Sequence, residues 1–418
     1  MAGERRSKAA GGFALPFALT VSLFALWGLG HWCFEALMPE FARNFRLSSN
    51  ALAATQSIYS IVYFVGAIPA ALFARRIGGK IAILVGLGAI GIGSFLFYPA
   101  AHTLNYMYFL AAVTIMACGW VALEIVANPL AAKLGPPETF VWRLNLAQSF
   151  YPIGALAGMA IAAWLVTRHE ALPDQAHAAA IAHPYIVLGV GVLLLAYLFE
   201  EVRFPHMADD RVKGGSLIAV GKLLRAPKFL FALAAQALSV IALVSIWSPE
   251  VRALVDVLPG RPAGLLGSSL AWMLVALGVG RFAGTALMRT IAPSTVMAGF
   301  SLGGILCALI AAVSSGPMAA IAVLAASFFI SITWPTILGL AIRNAGTSMK
   351  PATALICMAG AAGGMLHQFI RVALPFPTAQ LAMLLPAICF AAIAAFAYVN
   401  RDKPLSPADE TLSGDDDA

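Results

Sequence analysis

The run Trp120-Val121-Ala122-Leu123-Glu124-Ile125-Val126-Ala127-Asn128-Pro129 is apolar except for one carboxylate and one amide. A turn, Gly135-Pro136-Pro137-Glu138, follows it, and Arg143-Leu144-Asn145-Leu146-Ala147-Gln148-Ser149 leads into another apolar run. Between residues 103 and 132, Glu124 is the only charged side chain. A carboxylate at bilayer depth costs about 2.5–3.5 kcal/mol on insertion scales, so it marks a site or an ion pathway. On a helix Trp120, Glu124 and Asn128 recur every four residues and share one face. The stretch reads as a membrane-spanning helix with a polar stripe and an aromatic lid.

The rest of the chain has the same character. Of its 418 residues 61% are apolar and 11% charged, and the mean hydropathy is +0.87, far above that of soluble proteins. Segments of roughly 20 apolar residues, the length that crosses the hydrocarbon core as helix, fall near 13–41, 50–74, 80–101, 104–133, 141–167 and 184–202. A second set falls near 228–256, 263–289, 291–313, 316–343, 350–372 and 376–399. The expected fold is an all-α membrane protein of twelve transmembrane helices in two six-helix bundles. Residues 290–342 carry no charge, but Ser314-Ser315-Gly316-Pro317 supplies a turn that splits them into two spans. A β-barrel is excluded, because its strands alternate and give no long apolar runs.

Of the 26 Lys and Arg residues, Arg43, Arg46, Arg168, Arg252, Arg261 and Arg371 fall on one side of this arrangement and the rest on the other. The positive-inside rule then puts both termini in the cytoplasm of a multi-pass protein, here of the bacterial inner membrane. The start, Met1-Ala2-Gly3-Glu4-Arg5-Arg6-Ser7-Lys8, leads into a span too long for a cleavable signal. The domains expected are a cytoplasmic N-terminus (1–12), a first bundle (13–202), a cytoplasmic linker (203–227), a second bundle (228–399) and a disordered acidic tail (400–418). Within the linker Leu217, Ile218, Val220, Leu223 and Leu224 interleave with Lys222 and Arg225, the pattern of an amphipathic helix lying on membrane lipid. The five cysteines all fall inside spans without metal-ligand spacing and read as packing residues. The basic residues are scattered over short loops, so no nucleic-acid partner is expected, and neither is a metal or an organic cofactor.

A second intramembrane acid lies in the first span, Trp27-Gly28-Leu29-Gly30-His31-Trp32-Cys33-Phe34-Glu35. Trp27, His31 and Glu35 share one helix face, so His31 is placed to hydrogen-bond or ion-pair with Glu35. A carboxyl held between burial, which favours the neutral form, and a protonated His can load and release a proton. Asn145 and Gln148, three apart on the fifth span, can bond the hydroxyls of a solute or a neighbouring helix. Gln236, His367 and Gln368 are the strongest polar candidates in the second half, either for substrate contact or for interhelical hydrogen bonds. Trp32, Trp120, Trp247 and Trp334 offer flat apolar faces to a ring-shaped solute, or serve packing and the membrane belt. Arg281, in Gly280-Arg281-Phe282-Ala283-Gly284, suits either a gating link or snorkelling to water. The run Ala359-Gly360-Ala361-Ala362-Gly363-Gly364 allows close helix approach.

Three pieces together, Glu124 with Asn128-Pro129, Leu134-Gly135-Pro136-Pro137, and Arg143-Leu144-Asn145-Leu146-Ala147-Gln148, resemble the signature of the fucose/glucose/galactose–proton symporters of the major facilitator superfamily. Leu26-Trp27-Gly28 with Glu35 and Pro39 resembles that family's first helix. Gly280–Gly284 with Leu287-Met288 resembles its eighth, and Pro335-Thr336-Ile337 its tenth. The resemblance implies uptake of a monosaccharide with a proton by alternating access. It places proton coupling on Glu35 and Glu124 and sugar binding on Glu124, and it implies a monomer; His31 joins the coupling residues only by its helix spacing from Glu35. The chain departs from the family at Glu35, His31 and Trp32, where relatives carry Asp preceded by Asn, and at Ala242, where relatives often carry an amide. Fewer amides and a bulkier first helix leave open another pyranose, a modified sugar or a polyol. Three alternatives stand beside this reading: a sodium-coupled sugar carrier, an exporter of apolar or drug-like compounds, and a membrane sensor. An enzyme is not expected, because the loops hold no nucleophile–base constellation or phosphate-binding loop.

Overall fold

Apolar runs of this length can satisfy their backbone groups inside lipid only as helix, and helix is what they form. The computed structural model describes residues 2–169, 174–204, 216–260, 264, 267–374 and 376–401. Seven α-helices make the first part: α1 (Ala2–Asn44), α2 (Ser49–Ile77), α3 (Gly79–Thr103), α4 (Tyr106–Lys133), α5 (Phe140–Gln148), α6 (Tyr151–His169) and α7 (Asp174–Glu201). A short α8 (Ser216–Leu223) follows. Then come α9 (Pro227–Ile246), α10 (Pro249–Val255), α11 (Ser269–Leu287), α12 (Pro293–Val313), α13 (Gly316–Ile330), α14 (Thr333–Ile342), α15 (Met349–Ala373), α16 (Ala379–Ala382) and α17 (Leu384–Val399). Joined where two short helices share one path, they make 12 spans long and apolar enough to cross a membrane.

Two of the spans are broken near their middle. The fifth is interrupted at Ser149-Phe150, between α5 and α6, and the tenth at Ser331-Ile332, between α13 and α14. The seventh, Pro227–Ile246, is shorter than the span expected over 228–256. It stops at Ile246, and Pro249, which lacks an N–H and cannot continue a helix, opens the separate α10. The expected turn at Ser314-Ser315-Gly316-Pro317 is present, with Gly316 at φ +62°. The linker helix is present as α8. Its Val220 and Leu223 pack on the second core, while Ile218 and Leu224 are exposed. The tail beyond Arg401 and residues 205–215 lie outside the described residues.

Buried side chains gather into two large cores. One draws on α1–α7, around Phe34, Phe41, Phe97, Phe109 and Tyr185. The other draws on α9–α17, around Phe300, Phe390 and Phe396. Val141 and Leu144 of α5 belong to this second core, so the two sets of helices are tied together at one end. That end is the one where both chain termini emerge, here called the terminal face.

Close backbone approach builds the first set. A side chain at Gly28 would put its Cβ 2.1 Å from the carbonyl oxygen of Tyr151, and one at Gly154 would sit 1.8 Å from that of Ala25. Small residues at such crossings let α1 and α6 pack backbone to backbone. Gly154→Val is therefore expected to lower the melting temperature sharply or abolish recovery of monodisperse protein. Overpacking ordinarily costs about 1–3 kcal/mol, and a main-chain oxygen cannot rotate aside. Gly88→Val, where nothing lies within 4 Å, serves as the control and is expected to behave as the parent.

Candidate functional site

Between the two sets of helices lie two chambers, one above the other. The larger, about 620 Å³, is a vestibule whose wall includes Glu35, Trp32, Trp247, Arg252, Gln368 and Arg371. Pro39 lies near the end of the first span away from the termini, and Pro249 and Arg252 lie in α10 just beyond the seventh span on the same side, so the vestibule belongs to that opposite face. The smaller, about 340 Å³, lies deeper and includes Glu124, Gln148, Tyr63, Trp334 and Cys357 in its wall. His31, Tyr151 and Arg281 line both. At the terminal face the route is shut, because Gly339 of α14 packs directly on Val141 and Leu144 of α5.

The first-span acid stands in the vestibule, half-buried. Its expected partner is elsewhere. The His31 ring meets Tyr59 and Trp32 edge-on at 5.6 and 6.0 Å between ring centres, and it makes no hydrogen bond to Glu35. Spacing by four put the two residues on one face, but aromatic rings from α2 and α1 decide where the imidazole lies. Trp32 donates from Nε1 to the Tyr151 hydroxyl at 3.1 Å and stands edge-on to Trp247, 5.6 Å between ring centres. These two indoles belong to opposite sets of helices and narrow the passage from the vestibule inward.

The second acid, Glu124, is 3% exposed, and neither of its carboxylate oxygens has a hydrogen-bond partner. Tyr63 and Cys357 lie beside it without a bond of ordinary geometry. The Trp334 ring packs directly on Gly360, where any side chain would strike it at 2.4 Å, and its Nε1 is also unpartnered. Unpaired buried polar atoms are costly. Those of Glu124 and Trp334 are gathered on the wall of one chamber.

Four of the candidate residues do not reach either chamber. Trp120 is buried against Gly30 of α1. Asn128 donates to the Glu124 carbonyl at 2.8 Å and accepts from Gln148 Nε2 at 2.7 Å. Asn145 donates to the Val141 carbonyl at 2.9 Å, and its Oδ1 accepts from Thr336 at 3.2 Å. The amides of Asn128 and Asn145 are thus engaged within the protein, each with one bond inside its own helix and one to a neighbouring helix. Gln236 is wholly buried in α9 with neither amide atom partnered. Gln148 keeps a place on the inner wall, and Gln368 one on the vestibule wall. His367, 2% exposed and with Nδ1 unpartnered, stands between the vestibule and a side pocket of about 360 Å³.

At the mouth of that side pocket Glu250, outside the spans, is ion-paired with Arg371. Burial pushes the Glu250 carboxyl up. Its own backbone N–H, Ser248 and Arg371 together outweigh that and hold it below its ordinary value.

Several wall residues escaped the sequence reading, namely Tyr59, Tyr63, Tyr151 and Cys357. Tyr59 and Tyr63 are four apart on the second span, the same signal that marked His31 and Glu35, but tyrosine in a span is usually an interface residue. Arg281 is not a snorkelling residue: it is 7% exposed and both of its hydrogen bonds are to carbonyls in the protein interior.

Twelve spans in two sets, chambers between them and two acids along the route define a membrane carrier of the two-bundle class. The family model of the Major Facilitator Superfamily matches residues 17–368, and the chain belongs to that superfamily. Within it, the chain is 33% identical to the L-fucose-proton symporter of Escherichia coli (strain K12), over 95% of this chain and 94% of that one. It is 32% identical to the glucose/galactose transporter of Brucella abortus biovar 1, over 93% and 94% of the two chains. Among solved structures it resembles FucP, a Major Facilitator Superfamily transporter in the outward conformation, with TM-score 0.83 and 30% identity, covering 94% of this chain and all of that one.

Proposed function

We propose that this protein is a proton-coupled symporter that takes up a monosaccharide, fucose or a hexose, by alternating access across the bacterial inner membrane. The observation that carries the reading is the placing of two intramembrane acids on one route, Glu35 in the vestibule and Glu124 in the chamber beneath it. The names of the relatives support it: an L-fucose-proton symporter and glucose/galactose transporters.

With both termini cytoplasmic, as the bias of Lys and Arg requires, the vestibule opens outward and the closed terminal face is the cytoplasmic gate. The moving bodies are residues 13–202 and 228–399, with 203–227 as the linker, in a monomer. Glu35 takes the proton. Glu124 accepts hydrogen bonds from sugar hydroxyls and shares in coupling. Gln148 adds an amide to the inner chamber, and Trp334 offers a face to the pyranose ring. His31, between the chambers, passes charge or hydrogen bonding from one acid to the other, while Trp32, His367 and Gln368 meet the sugar on its way in.

The test is external pH in a weakly buffered, energy-depleted suspension of expressing cells, after adding each of a panel of sugars. Alkalinisation is expected with a fucose- or hexose-type sugar and is expected to vanish in Glu35→Gln. Silence across the panel, with uptake found for another solute or only with sodium, would remove the proton–sugar assignment and leave the fold.

A further inference from the structure

We propose that Arg281, on the wall of both chambers, latches the two halves together by occupying two carbonyls that prolines leave bare. The inference rests on the alternating-access reading, but on no particular substrate. In a continuous helix the carbonyl of Gln148 would accept from the backbone N–H of residue 152, and that of Ser331 from residue 335. Those residues are Pro152 and Pro335, which have no N–H to give. The two broken spans therefore each expose one main-chain oxygen inside the bilayer, where an unsatisfied carbonyl is not tolerated.

One guanidinium fills both places. Arg281 donates from Nε to the Ser331 carbonyl at 2.9 Å and from Nη1 to the Gln148 carbonyl at 3.1 Å. Its neighbour makes the reach possible: any side chain at Gly280 would strike the Phe328 carbonyl at 2.2 Å, so α11 lies directly against the break after α13. The planar fork of Arg suits two fixed acceptors, and the single ammonium of Lys does not. One turn further along α11, Thr285 meets Ser149 across the same boundary at 3.2 Å.

The two bonds of Arg281 differ in kind. The one to Ser331 joins α11 to the tenth span, within the second set of helices, and survives a rocking of the halves. The one to Gln148 crosses between the halves and must break before the terminal face can open. Breaking it leaves the Gln148 oxygen with no donor of its own, because residue 152 is proline. The missing N–H of Pro152 is thus what makes the latch costly to release. Arg281 forms part of the wall of both chambers, so an occupant of either one meets the latch directly.

The latch can be tested without sugar or a gradient. In protein whose five native cysteines are replaced, Val141→Cys places a thiol in the closed terminal face, and its labelling by a maleimide reports opening. Pro152→Ala gives Gln148 a donor that remains when Arg281 leaves, so labelling should rise by about tenfold, the worth of a charge-assisted hydrogen bond. Arg281→Lys should raise it similarly, and the double variant no further than either single one. Pro335→Ala restores a donor within one half only and should label at the parental rate. A parental rate in Pro152→Ala, in protein with unchanged melting temperature, would overturn the proposal. So would independent addition of the two single effects. Because no substrate takes part, a silent sugar panel would leave the latch standing, and a failed latch would leave the transport assignment standing.

Discussion

Glu124→Ala is expected to abolish measurable sugar binding while leaving the protein folded. The carboxyl is 3% exposed and its two oxygens are unbonded within the protein, so both are available to substrate hydroxyls. Hydrogen bonds to a charged group contribute about 1.5–3 kcal/mol each, so losing two weakens affinity by roughly a hundredfold or more. Glu124→Gln keeps one acceptor and should fall between alanine and the parent. Stability separates this from misfolding. Removing a buried carboxyl that no protein donor satisfies takes away a desolvation cost, so the melting temperature of the alanine variant should hold or rise. Calorimetric titration with the sugar identified by the alkalinisation panel supplies the affinity. Parental affinity in Glu124→Ala would place the sugar elsewhere.

Glu35→Gln is expected to leave exchange of sugar across the membrane intact and to abolish its accumulation. An ionised Glu35 would have to carry its charge through the closing of the vestibule, which is expensive at low dielectric. Protonation removes that cost, and Gln imitates the protonated form permanently. The variant can reorient, loaded or empty, but it no longer needs a proton to do so. A driving force of about 100 mV supplies about 2.3 kcal/mol per proton, enough for roughly 50-fold accumulation. That ratio should fall to unity, while counterflow of labelled sugar persists in proteoliposomes. Accumulation at the parental level would remove Glu35 from coupling.

Much of this was legible in the chain because the bilayer is a severe solvent. Apolar length declared the spans, and the cost of a charge in lipid singled out Glu35 and Glu124 before any packing was known. Partners were less legible. His31 and Glu35 do share a helix face, yet the imidazole meets Tyr59 on the next helix. Asn128, Asn145 and Gln148 were marked as polar residues of one region, but only their packing shows Gln148 bonded to Asn128 and Asn145 held by Thr336 from the other half.

The amino-acid sequence by itself determined the class of protein, the number of spans and the two acids, since each depends on local composition weighed against hydrocarbon. The tertiary structure alone decided which polar groups face a chamber and which are consumed by a neighbouring helix. It also decided the position of Arg281, whose two acceptors lie 133 and 50 residues away. Hydrogen bonds of such separation depend on how helices cross, and crossings are set by close backbone contacts such as those at Gly154 and Gly280, which no window along the chain contains.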